Sequence, residues 1–409
     1  MKTFYGWRIV AAGGALQFLQ SLLLNQSFGV YLAVLVEDRG WSKTAVAGAA
    51  ALKSTEAAIL GPALGWAVDR FGTQGIVRIG IVTFGIGFML LSWIDTLLGF
   101  YAAFVVVALG ASMFSNPVVA VSIIHWFEQN RARALSALQF GSAIGGLFVF
   151  LIAASIQAYG WRATAFASGV IAILVGLPLV RVIRSRPDHH EAADDLPPAP
   201  KATGPAAARV RESFSAGEAL RTSAFWLIGL GHAFSLFVVT AFNVHAIAHI
   251  KECLGYSLGL ATLVFTLVTV GQFGGVMLGW VIGDRFVKRK VAAACMLMHA
   301  AGLLMLTYAT GPVVLVIAAL VHGIAWGLRG PFMAAIRADY FGRGSIGMII
   351  GLSSTILVLG QIGGPILAGG FADWTGDYRM GFTILAVLSG LGSLFFLMAR
   401  RPQRGASAS

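Results

Sequence analysis

Several side chains that can do chemistry stand inside long apolar runs, where they are costly to keep. Arg329 lies within Gly327-Leu328-Arg329-Gly330-Pro331, and His322 precedes it by seven residues, two helical turns back on the same face. Lys53 and Glu56 are three apart and share a face of another run. An ionisable side chain within a membrane span costs about 2.5 to 3.5 kcal/mol on insertion scales and normally turns towards a bundle interior or a wet cavity. A guanidinium is a fixed charge whose planar fork suits a carboxylate. Arg329 therefore reads as the partner of an anionic group, with His322 helping to hold the same ligand. A second reading has Arg329 snorkel or pair with a loop acid such as Asp339.

Glu56 is the acid placed within a span, which makes it a coupled proton site or, equally, the permanent counter-charge of Lys53. Neutral polar residues extend the set: Gln17, Gln20 and Asn25 in the first run, Asn116 beside Pro117, then Asn243, Gln272 and Gln361. Of these, Asn116, Asn243, Gln272 and Gln20 join Arg329 and His322 as substrate-contacting candidates, although polar side chains in lipid also act as glue between helices. His232, His245, His249 and His299 are further titratable groups. His245 and His249 share a face suited to metal ligation or an outer gate, but no third ligand accompanies them, so no metal is assigned. No phosphate-cradling loop and no nucleophile constellation is found, so neither an enzyme nor a cofactor is expected.

The elements that carry these residues follow from composition. The 409 residues are 57% hydrophobic and 11% charged, with a mean hydropathy of +0.81, whereas soluble domains carry about 25% charge. Lipid is the expected solvent, and there the backbone must satisfy its own hydrogen bonds, which requires helices of about 20 residues. Apolar runs cover approximately 7–34, 44–68, 75–94, 97–124, 132–156, 162–184, 224–249, 258–283, 289–309, 312–336, 346–370 and 380–399. The expectation is an all-α membrane protein of twelve transmembrane helices in two six-helix bundles: 1–184, a polar proline-rich linker at 185–223, and 224–409 with a short tail. Cys253 and Cys295 fall in different segments and form no disulfide framework.

The net charge of +12 does not point to nucleic acid, because the basic residues flank the apolar runs. One side carries Lys2, Arg8, Arg70, Arg78, Arg131, Arg133, the linker set, Arg285, Lys288, Arg289, Lys290, Arg337, Arg343, Arg400, Arg401 and Arg404; the other carries Arg39, Lys43, Arg162, Lys251 and Arg379. That bias places both termini and the linker in the cytoplasm.

The halves repeat one another. Gly65-Trp66-Ala67-Val68-Asp69-Arg70-Phe71 returns as Gly279-Trp280-Val281-Ile282-Gly283-Asp284-Arg285-Phe286, Trp126-Phe127 as Tyr340-Phe341, Gly145-Gly146 as Gly363-Gly364, and Gly160-Trp161-Arg162 as Asp377-Tyr378-Arg379, at offsets of 214 to 218 residues. With Gly65, Asp69, Arg70 and Gly72 matching the loop signature G-x-x-x-D-R-x-G, and Asp284 and Arg285 in the equivalent loop, the chain resembles the major facilitator superfamily. The resemblance implies that these acid and base pairs gate the cytoplasmic side, and that the tenth helix, with Arg329, lines the transport path.

Within the superfamily the segment Trp126, Phe127, Arg131, Arg133, Ala134, Ser136, Ala137, Gly141, Ala143 and Gly145 resembles the monocarboxylate and oxalate/formate branch, with Tyr5-Gly6-Trp7 a looser match. Where that branch carries an anion-binding arginine in the eighth helix, this chain has Gly275. The implied function is alternating-access transport of a small organic anion, a carboxylate, with protons as the candidate coupling ion. The implied setting is a monomer in a bacterial inner membrane. An exporter of larger amphipathic compounds is the alternative, and a membrane sensor is a third class.

Overall fold

Peptide groups in lipid find partners only within their own segment, so each apolar run closes into a helix. The computed structural model of the chain describes residues 4–187 and 213–403; the side chain of Lys53 lies outside the described set, as do Lys2, Arg404 and residues 188–212 of the expected linker. The chain divides into two units, Met1–Pro200 and Lys201–Ser409.

The first unit contains α1 (Tyr5–Gln20), continued by a wider π turn at Ser21–Asn25, then α2 (Phe28–Arg39), α3 (Lys43–Phe71), α4 (Thr73–Leu91), α5 (Leu97–Met113), α6 (Asn116–Trp126), α7 (Arg131–Leu147) and α8 (Val149–Val182). In the second are α9 (Ala216–Leu220), α10 (Ser223–Ala248) with a π turn at His249–Cys253, α11 (Leu258–Ile282), α12 (Lys288–Thr307), α13 (Pro312–Phe341), α14 (Ile346–Thr375) and α15 (Arg379–Met398). Among the described residues there is no β-strand.

Among the described residues, ten helical stretches are long and apolar enough to cross a membrane. The longest, Arg131–Val182, holds more than one helix, because the backbone turns at Gly160, where φ is 80°. A side chain at that φ would strain the backbone, and glycine relieves it. Large apolar residues such as Leu98, Leu174, Val313, Ile366 and Trp374 are exposed, as lipid-facing residues are.

Each unit repeats one packing scheme. α1 packs on α7, α3 on α5, and α4 on both α5 and α8; correspondingly α10 packs on α14, α11 on α13, and α12 on both α13 and α15. Glycine permits the closest of these approaches. A methyl group on Gly141 would overlap the carbonyl oxygen of Gly14, and one on Gly360 would overlap that of Ala233. Gly145 meets the carbonyl of Phe18, and Gly364 that of Phe237. Gly14 to Ala233, Gly141 to Gly360, Phe18 to Phe237 and Gly145 to Gly364 are all the same step of 219 residues. Small residues thus bring helix backbones together where lipid supplies no hydrophobic drive between helices. On the α11 and α13 pair, Gly275 faces the carbonyl of Ile324 and Gly327 that of Gln272.

Candidate functional site

The basic chemistry of the second unit is concentrated on α13. Its apolar run continues past residue 336 as helix to Phe341, which carries Arg337 into the bundle instead of leaving it as a cytoplasmic loop charge. Arg329 and Arg337 are 4% and 5% exposed. Arg329 donates through Nη1 to Ser235 Oγ on α10, and its Nε is buried without a hydrogen-bond partner. Each nitrogen of Arg337 has a partner: Nη1 donates to the Met333 carbonyl at 3.0 Å, Nε to Ser353 Oγ at 3.1 Å, and Nη2 reaches His232 Nδ1 at 3.4 Å. No carboxylate pairs with either guanidinium among the described residues; Asp339 instead takes Lys288 Nζ at 2.7 Å. Burying an uncompensated cation is expensive, and an anion bound at Arg329 would relieve that cost.

His322 is completely buried on the same helix, stacked on Phe242 with ring centroids 4.4 Å apart and in contact with His299. Gln272 is half-buried on α11, with its backbone against Gly327; Asn243 is exposed on α10. His245 Nε2 lies 3.1 Å from the Pro365 carbonyl, and His249 Nε2 lies 3.2 Å from that of Thr307. Both imidazoles contact Tyr378, whose hydroxyl pKa is raised by burial and then by Glu252. These histidines therefore join neighbouring helices, and no group of three metal-ligating side chains occurs among the described residues.

In the first unit Glu56 is half-buried and its Oε2 accepts from Ser112 Oγ at 2.9 Å, which links α3 to α5. Pro117 cannot donate a backbone hydrogen bond, and the chain is interrupted between α5 and α6 at this point. Gln20 and Gln17 serve the carbonyls exposed there, donating to Ala111 O at 2.7 Å and Phe114 O at 2.9 Å. Both bonds link α1 to the break between α5 and α6. Asn116 opens α6 and is half-buried.

At the helix ends, Lys288 Nζ lies 2.8 Å from Asp284 Oδ1 as well as beside Asp339, so the turn between α11 and α12 is tied to the end of α13. Arg285 is exposed. In the corresponding turn of the first unit Asp69 is half-buried, and Arg70 lies over the Trp66 and Phe71 rings, 5.9 Å from each centroid. At the opposite end of that unit Asp95 Oδ1 receives Arg39 at 3.0 Å and Arg162 at 2.7 Å, while Trp161 Nε1 donates to Asp38 at 2.9 Å.

Comparison with known proteins accounts for the doubled architecture. The family model of the Major Facilitator Superfamily matches residues 14–245 and again 228–409. The chain belongs to the major facilitator superfamily. Within it, monocarboxylate transporter 11 of Homo sapiens is 27% identical, over 96% of this chain and 82% of that protein. The membrane sensor protein UhpC of Salmonella typhimurium is 26% identical, over 80% of this chain and 76% of its own length. Among solved structures, the proton:xylose symporter XylE bound to 6-bromo-6-deoxy-D-glucose shares the fold with a TM-score of 0.73 at 17% identity, over 98% of this chain and 97% of that one. The superfamily assignment and the likeness to monocarboxylate transporters both agree with the sequence motifs.

Sequence reasoning missed Arg337, Ser235, Ser353 and Asp95. A signal for Arg337 was present, since Ala338 and the aromatic pair Tyr340-Phe341 continue the helix beyond it. The serines carried none, because their meaning depends on partners 94 and 16 residues away.

Proposed function

We propose that the chain is a secondary active transporter of a small organic anion, a carboxylate. It works by alternating access of two six-helix bundles, twelve spans in all, with both termini on the cytoplasmic side of a bacterial inner membrane. The observation that carries this reading is Arg329: a buried guanidinium on a membrane helix, held by the neutral Ser235 and with Nε unpartnered. A serine hydroxyl orients the fork without neutralising it, so the charge stays available to a carboxylate. The likeness to monocarboxylate transporters supports the same substrate class.

The remaining residues divide between contact and support. Gln272 and Asn243, on the helices beside α13, are the further substrate contacts. Gln20 and Asn116 shape the interruption of the α5 and α6 span from which a ligand would be approached. Glu56, which accepts from Ser112 Oγ, supports the packing of α3 on α5. Asp69, Arg70, Asp284 and Arg285 form the cytoplasmic gate, with Lys288 as an additional member.

The test is uptake of labelled mono- and dicarboxylates into proteoliposomes, with and without an inward proton gradient. Saturable uptake of L-lactate or oxalate, stimulated by the gradient, is the expected result. Flux that is blocked by amphipathic drugs and not by carboxylates would favour export of larger compounds. Binding without flux would favour the sensing role that the relative UhpC bears in its name.

A further inference from the structure

His299 on α12 and His322 on α13 are both 0% exposed, and their Nδ1 atoms lie 3.3 Å apart, with ring centroids 4.7 Å apart and planes inclined at 66°. Gly302 makes the approach possible, because a methyl group there would stand 3.0 Å from His322 Cβ. The Nε2 atoms of both rings are buried and have no hydrogen-bond partner.

Counting protons gives this arrangement a direction. A hydrogen bond between two Nδ1 atoms requires one of them to carry the hydrogen. In two neutral rings the donor then has a bare Nε2 and the acceptor ring an Nε2–H, so one lone pair and one donor are stranded in a dry interior. One more proton fits on the bare Nε2 and turns the pair into a cation.

The surroundings decide what can offset that cation. From α10 the pair is faced by His232 and from α13 by Arg329, while Cys295 on α12 lies towards Arg329. α11 contains no charged residue, and α15 carries its one charge, Arg379, at its first position. The acids Asp339 and Asp373 stand near the ends of α13 and α14. No carboxylate is paired with the cluster among the described residues, so a compensating negative charge must arrive as ligand.

We infer that the His299 and His322 pair is a proton-binding site whose occupancy is linked to anion binding at Arg329. The inference rests on the anion reading of Arg329. His322 and Arg329 are seven residues apart, about 10 Å along the helix. Unit charges at that spacing and an effective dielectric of about 20 change each other's binding by about tenfold. Linkage makes the factor reciprocal: the anion favours the proton as much as the proton favours the anion. One proton and one monoanion then move together without net charge, and Glu56 is not needed for it.

The experiment uses the purified full-length protein in detergent, with L-lactate and oxalate as probes and a pH dye in weak buffer. Anion binding to the native protein should take up a proton on the acid side of neutrality. His299→Gln and His322→Gln should still bind, which shows that they are folded, but with no proton uptake and with affinity that no longer rises about tenfold on acidification. Proton uptake that survives in both histidine variants, or that Glu56→Gln alone abolishes, overturns the proposal. In parallel, ¹⁵N-histidine NMR should show coupling through a shared Nδ1–H···Nδ1 bond; its absence overturns the pair whether or not an anion binds. Intact coupling together with no binding of either anion overturns the reading of Arg329, and with it the linkage.

Discussion

Arg329 and Ser235 meet across the packing of α13 on α10, guanidinium to hydroxyl, with no carboxylate on either side of the contact among the described residues. Arg329→Ala should lower carboxylate affinity about a hundredfold, in the range found when one member of a buried charge pair is removed. Arg329→Lys keeps the charge and loses the fork, and should cost about tenfold. Ser235→Ala should cost less than either. Isothermal titration with L-lactate and oxalate checks all three, and unchanged affinity in Arg329→Ala would remove the site.

Gly141 and Gly360 leave no room for a side chain, since each faces a neighbouring helix's carbonyl oxygen. Gly141→Val and Gly360→Val should each lose about 1 to 3 kcal/mol or more through overpacking. Gly274, with open space where its side chain would be, should accept alanine within about 0.5 kcal/mol. Thermal unfolding in detergent distinguishes the two classes, and equal losses at Gly274 and Gly360 would contradict the assignment of the seam.

Lys288 ties Asp284 to Asp339. Lys288→Met removes that tie from partly exposed groups, so global stability should change by less than about 1 kcal/mol. The local effect should be larger, with faster amide exchange over the last turn of α13. Exchange unchanged around Asp339 would show that the tie does not hold this end.

Asp95 is the shared acceptor of Arg39 and Arg162, with 73% of its side chain exposed. Asp95→Asn should therefore cost less than about 1 kcal/mol, and the difference should shrink in 1 M salt, where screening acts within about 3 Å. Melting curves at low and high salt test this, and a cost that persists in high salt would indicate a packing role.

Helix positions were legible in the sequence because lipid imposes one rule on every span, and the doubling was legible because the Gly65 to Phe71 segment returns almost unaltered at Gly279 to Phe286. Arg329 was legible as a charge in an apolar run. Its partner was not: Ser235 lies on another helix, and a serine in an apolar segment has many uses. The joining of His299 to His322 was equally hidden, since the two are 23 residues apart on helices whose relative rotation no local pattern records. The hydrogen bonds of Gln20 and Gln17 were hidden too, because hydropathy does not reveal that α5 and α6 part at Ser115 and expose carbonyls for them.

The 219-residue step that relates Gly14 and Gly141 to Ala233 and Gly360 bears on how such a chain came about. Within the spans the titratable residues differ between the copies, with paired histidines in one and a serine-bound glutamate in the other, although Asp69-Arg70 and Asp284-Arg285 correspond in the turns. The points where one main chain touches another also stay in step. The likeness of the copies is therefore carried by spacing, and any swap of a helix between them would have to preserve those touching points first.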